Sequence, residues 1–307
     1  MDPTATFEEL RFFWESAYSS LTPDPRSDLQ TTLKRWASDV LAVDGIPLTS
    51  PFRDHFSLKP MEPFFGSWRS VRGGLSLAGK TVVTLINPGD GIDFQHCASP
   101  NISLVGRPYW ALLKEFYTTG AVLHNGASHT LLYKRDLMNP SYNYRNGTRK
   151  FGWGWWTVQW ANMLHAIGET RDEEDCFLTL ELFAYSSLTA GRLSTDVLSA
   201  LTSSRLVVRL LAELICQSSG SAPRCVVLVN KLSVWQSVLK DYRIEFEALS
   251  PCNRAGEPIA FRGRLRGRPT PTPLILLNRA QGMKFPRGPE VTRLIFETRE
   301  GTVEPDA

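Results

Sequence analysis

Four apolar runs in this chain each stop at residues able to do chemistry. The run at 81–86 ends in Asn87-Pro88-Gly89-Asp90, and that at 176–183 leads into Tyr185-Ser186-Ser187. The run at 225–230 ends in Asn230-Lys231, and that at 273–278 in Asn278-Arg279. Amide, hydroxyl and guanidinium groups of this kind hold a water, read a polar edge or meet developing negative charge. Asp90 and Asp93 stand three and six residues past Asn87. Each is either a supplementary base or a solvated turn carboxylate. Asn, Gly and Pro are also ordinary turn formers, so any single end is equally the place where a strand stops.

The elements that carry these ends decide what they can do together. The four runs are nearly continuously hydrophobic, as parallel strands covered on both faces are. Helical patterns separate them at 109–117, 155–167, 195–216 and 233–242. Strand alternating with helix predicts an α/β fold, a three-layer α/β/α sandwich around a central four-stranded, mostly parallel sheet. Such sheets bind ligands in the crevice beyond the carboxyl ends of their strands. Ahead of them, Phe7, Leu10, Phe13, Trp14, Ala17 and Leu21 recur at helical spacing, and Ser27 with Gln30 forms a capping-box signal before Leu33, Trp36 and Val40. The expected organisation is a helical extension over 1–59 packed on an α/β domain over 60–307, as one compact unit. Residues 291–298 add an edge strand.

Residues 74–81 also spell G-x-x-x-x-G-K-T through Gly74, Gly79, Lys80 and Thr81. A phosphate loop joins a strand to a helix N-terminus. Here an apolar strand follows Lys80 and the stretch before Gly74 is a poor strand, so the pattern reads as a Gly-rich turn. No nucleotide triphosphate is expected.

Composition narrows the class. The chain has 307 residues, 42% hydrophobic and 21% charged, enough for a large core, and no apolar run approaches the roughly 18 residues of a membrane span. The start, MDPTATFEEL, lacks the basic and apolar regions of a signal peptide. Five cysteines form no C-x-x-C pair and five histidines no H-E-x-x-H, so no metal and no cofactor is expected, and the thiols suit a cytoplasmic protein. A net charge of +3 decides little; its distribution matters more.

The stretch VVTLINPGDG (82–91) resembles the first motif of the uracil-DNA glycosylase superfamily, closest to the branch that reads G-I-N-P-G. Asn87, Pro88 and Gly89 match it; Leu85 stands where that branch has Gly. Upstream, MEPFFGSW (61–68) is similar to a P-E-P-hydrophobic-G segment of some bacterial members, and GRPYWALLKEF (106–116) to an R-x-W helix start. ELFAYSS (181–187) resembles the second-strand segment of related bacterial proteins. After the fourth run, LILLNRAQGMKF occupies the place of the H-P-S or N-P-S motif; Asn278 matches its lead, and Arg279-Ala280 replaces Pro-Ser. As an ordered set the resemblance covers about residues 60–288.

What the resemblance implies is an enzyme that hydrolyses the N-glycosidic bond of a base flipped out of DNA and leaves an abasic site. Asn87 would position the attacking water, supplemented by Asp90 or Asp93, while Asn278 and Arg279 would donate to the departing base. Phe94 would stack on the base, Pro88 and Gly89 would shape the pocket, and Tyr185 and Ser186 would read the base edge. The superfamily includes anti-phage members that excise bulky modified cytosines, which makes glucosylated hydroxymethylcytosine in phage DNA a candidate substrate. Two alternatives stand: a silent nucleic-acid-binding protein on the same fold, and a small-molecule nucleosidase.

A DNA partner needs positive charge. Arg262, Arg264, Arg266 and Arg268 alternate, so in an extended segment their side chains would share a face and line up on phosphates. Met283, Lys284 and Arg287 would extend that patch, Met283 as a wedge into the base stack. Residues 143–156 mix bases with aromatics and form a further candidate surface.

Overall fold

The computed structural model describes residues 2–23, 28–47, 61–68, 75–86, 97–130, 132, 136–137, 139, 143–144, 149–150, 176–185, 195–218, 220–229, 231–252 and 258–278. The expectations at 155–167 and 291–298 lie outside them.

Two helices open the chain. Helix α1 (Pro3–Ser19) starts where the Asp2 carboxylate accepts the Thr4 N–H at 2.9 Å, with Pro3 in the first turn, whose N–H groups need no partner from within the helix. Its buried face carries Phe7, Leu10, Trp14 and Tyr18. Helix α2 (Leu29–Asp44) is capped by Asp28, one position past the start of the expected capping box; the Asp28 carboxylate takes the Thr31 N–H at 2.9 Å. The hydrogen bonds from the Thr31 N–H and hydroxyl lower the pKa of this carboxylate.

The strands follow in chain order as β1 (Phe64–Gly66), β2 (Thr81–Leu85), β3 (Val122–His124), β4 (Ala127–His129), β5 (Asn143–Tyr144), β6 (Arg149–Lys150), β7 (Phe177–Glu181), β8 (Cys225–Val229), β9 (Ile244–Cys252), β10 (Pro258–Leu265), β11 (Arg268–Pro269) and β12 (Leu274–Leu277). Further helices are α3 (Tyr109–Thr119), α4 (Thr195–Ala200), α5 (Thr202–Ile215) and α6 (Leu232–Val238). The single helical pattern at 195–216 is thus broken at Leu201, which adopts an extended backbone.

The fold is α/β with a mixed, mostly parallel central sheet. The four apolar runs are its heart: β7, β2, β8 and β12 lie side by side and parallel, with Thr81 beside both Phe177 and Cys225, and Leu274 beside Val226. All are buried along their described length. Among the described residues the sheet has eight strands rather than the four expected, ordered β1-β7-β2-β8-β12-β10-β11 with β9 on the outer side of β10. β1 joins β7 antiparallel, and β10 joins β12 antiparallel. The added edge has one wet face: Ile244 is buried while Glu245 and Glu247 are exposed, the alternation of an antiparallel strand with one solvated side.

The first helix ties these parts together. It packs against both α5 and α3, Phe7 meets Phe64 and Trp68 of the β1 segment, and Tyr18 stacks on Tyr117 at 4.7 Å. Gly66 ends β1 at φ +109°, and a Cβ there would run into the Phe177 carbonyl oxygen, so only glycine lets β1 lie against β7 at that point. No helix among the described residues is long and apolar enough to cross a membrane.

Candidate functional site at the carboxyl pole

From β2 the chain crosses to β7 on one side, and then to β8 on the other side of β2. The strand order therefore reverses between β2 and β8, and open α/β sheets hold ligands beyond the carboxyl ends at such a switch point. β2 ends at Leu85, and Ile86 is still laddered, its carbonyl accepting the Phe183 N–H at 2.9 Å. The next residue in the chain is Asn87. On the other flank, β8 ends at Val229, followed by Asn230 and Lys231.

That second flank is braced from three directions. Lys231 caps α6 with an unusual backbone (φ 29°, ψ 88°), a strained geometry for a residue with a Cβ. Fully buried Trp235, one turn into α6, donates its indole N–H to the Val229 carbonyl at 3.1 Å. Asn278, the first residue past β12, accepts the Leu232 N–H on its Oδ1 at 3.2 Å. This bond fixes which way the Asn278 amide points and leaves its NH2 group, a pure donor, as the end with hydrogen bonds to give. β2 and β12 are two strand spacings apart, about 10 Å.

Two buried carboxylates sit at the same pole and were not legible as a pair. Glu181 is the last residue of β7, in register with Leu85. It is 1% exposed, and neither carboxylate oxygen has a hydrogen-bond partner among the described residues. Glu62, just before β1, accepts the Tyr109 hydroxyl at 2.7 Å. Burial pushes the Glu62 carboxyl up to about 7, and the Tyr109 hydroxyl pulls the other way. Burial, and then the neighbouring Glu62, push Glu181 well above the carboxylate range. Burial thus favours the protonated form of Glu181, the form able to give one hydrogen bond and accept another. Its signal in the sequence was a lone Glu inside an apolar run, ELF, and a carboxylate so placed needs a reason.

Tyr185 does not take the base-reading place expected of it. It is 1% exposed, its ring packs against Trp14 and Phe183, and its hydroxyl donates to Asp44 at 2.8 Å. Both ends of the side chain are committed to the contact with the N-terminal helices. Asp44 also accepts the Ser203 N–H at 2.7 Å and the Ser203 hydroxyl at 2.6 Å, in the first turn of α5. Burial raises the Asp44 pKa to about 6 against these bonds and the pull of Arg205.

The arginine stripe is not a stripe. Arg266 and Gly267 form a two-residue hairpin turn, so Arg268 already lies on the returning strand, opposite Leu265. Arg268 then shares the sheet face of Leu265, while Arg262 and Arg264 point to the other. Arg264 is held by Glu247 through Nε (2.7 Å) and Nη2 (2.6 Å), and Arg262 lies in register with the same glutamate. β10 pairs Ala260 with Leu277 and Arg262 with Ile275, so the hairpin lies past the start of β12, at the opposite pole from Asn278. Lys80 likewise precedes a strand, not a helix. Asn87, Pro88, Gly89, Asp90, Asp93, Phe94, Ser186, Arg279, Met283, Lys284 and Arg287 lie outside the described residues, as do the side chains at 143–156.

No family model, no curated protein and no solved structure matches this chain.

Proposed function

We propose that this protein is a DNA glycosylase with a uracil-DNA-glycosylase-like, three-layer α/β/α core, hydrolysing the N-glycosidic bond of a flipped, modified base. One observation carries the reading: the N-P-G segment begins directly after the carboxyl end of the strand that flanks the switch point of the sheet. The family resemblance assigns its water-positioning asparagine to that segment. Breaking the bond makes the sugar cationic and the base anionic. A water held by the Asn87 amide oxygen meets the first charge, and the oriented Asn278 NH2 is a donor for the second. Cys97, Cys176, Cys216 and Cys225 carry thiols rather than disulfides, which fits a reducing, cytoplasmic setting.

The test is release of abasic sites from DNAs carrying uracil, mismatched thymine, hydroxymethylcytosine or phage-type glucosylated cytosine. Activity on one substrate, lost in Asn87→Ala, supports the reading; intact DNA on every substrate removes it for those bases. The position of Arg262–Arg268 at the far pole favours one second reading, a nucleosidase that acts on free nucleosides and needs no phosphate stripe beside its crevice. Nucleoside hydrolysis without DNA cleavage would select it.

A further inference from the structure

The hairpin joining β10 to β11 turns on Arg266 and Gly267, both at positive φ (52° and 78°). This turn type favours Asn-Gly, because a residue with a Cβ is strained in the left-handed region. Arg243, which follows the 3-10 turn Lys240–Tyr242, is held in the same conformation at φ 59°. The two are joined: the Arg266 N–H donates to the Arg243 carbonyl at 3.3 Å. Two long cationic residues thus occupy positions where the backbone prefers Asn or Gly. Strain retained at paired positions points to the side chains as the reason for it.

These arginines and Arg268 are exposed, as is Lys240, and none of the four makes an ion pair among the described residues. Arg264, one turn away, is already neutralised by Glu247. Lys80 and Arg224 continue the line at the starts of β2 and β8, where the Arg224 N–H meets the Lys80 carbonyl at 2.7 Å. Asp241 and Glu245 are the exposed acids beside them. The charges follow neighbouring strand ends, spaced by about 4.8 Å per strand. The large exposed apolar residues Phe12, Val43, Leu104 and Leu123 all belong to other parts of the molecule. A protein partner would need an apolar anchor here, whereas a linear polyanion needs only the charges.

We propose that this amino pole is a duplex-DNA backbone contact, separate from the crevice at the carboxyl pole. Its function is to hold phosphates without reading sequence. It concerns binding alone and stands whether or not the crevice excises a base.

The test measures affinity for an unmodified 30-base-pair duplex at increasing KCl. The variants are Arg243→Asn/Arg266→Asn/Arg268→Ser and, separately, Lys240→Glu. Each phosphate contact contributes about 0.9 to the slope of log affinity against log salt. The triple variant is expected to flatten the slope by about 2 to 3 and Lys240→Glu by about 1. Asn is at ease in the left-handed region, so the triple variant should melt at the wild-type temperature or above it. An unchanged slope in both variants overturns the proposal. So does a wild type that ignores duplex DNA at low salt while binding a polyglutamate chain. Loss of excision in Asn87→Ala with the full slope retained leaves this surface standing and locates the chemistry elsewhere.

Discussion

At its carboxyl pole the sheet ends in an oriented asparagine, a buried carboxyl of raised pKa and a strained Lys231; at its amino pole it ends in exposed arginines on tight turns. The first pole hides its polar groups and shifts their proton affinities, which suits chemistry on one small target. The second displays fixed charge to solvent, which suits a large target held loosely. Strand polarity alone produces this division. Parallel strands put all their carboxyl ends together, and the antiparallel hairpin at the edge returns its turn to the other end.

The largest effect that would break this comparison is on catalysis. Asn87→Ala should lower base release by about 10²- to 10⁴-fold, read as single-turnover excision, and leave DNA affinity near wild type. Asn278→Ala comes next. It removes a donor and the cap on α6, so single-turnover excision should fall by about 10²-fold or more. The cap itself is worth about 1 kcal/mol in thermal stability.

A third test uses pH. Asp44 and Glu62 have folded pKa values of about 6 and about 7, above their unfolded values. Groups raised in this way favour the folded state fully below about pH 4, and that contribution is lost as pH rises through 6 and 7. Each accounts for on the order of 3 kcal/mol. Denaturant midpoints should therefore fall from pH 4.5 to pH 8, and Asp44→Asn and Glu62→Gln should each flatten the fall. A flat wild-type profile would show these carboxylates to be solvated. The smallest effect belongs to the amino pole: Glu247→Gln frees Arg264, costs at most about 1 kcal/mol of stability, and should steepen the salt dependence of DNA binding by up to about 1.

The parallel heart of the sheet was legible because each of its strands is apolar on both faces, a pattern no exposed segment tolerates. The edge was not, although Ile244-Glu245-Phe246-Glu247 alternates cleanly. Four arginines within residues 262–268 form a local charge pattern, whereas the glutamates opposite them, Glu245 and Glu247, are brought alongside only by strand pairing. Turn geometry also defeated the stripe, since Arg-Gly is a weak turn signal beside Asn-Gly. At the site, Asn278 was legible as a strand-end amide. The burial of Tyr185 was not, because its partner Asp44 is separated from it by 141 positions. Buried polar pairs closed by tertiary contact leave no local pattern to read.

The Asp44 to Ser203 bonds span 159 positions, and they set a timetable. During synthesis α1 can meet the β1 segment and α3 early, yet its α5-facing side and the Asp44 carboxylate have no home until residues 185 and 203 emerge. At 5–20 residues per second that wait lasts roughly ten to thirty seconds. Through it the Asp44 carboxylate and that side of α1 stay open to chaperones and to misassociation. Closure of the N-terminal helices onto α5 is thus a late event in folding, and slow elongation should be felt there.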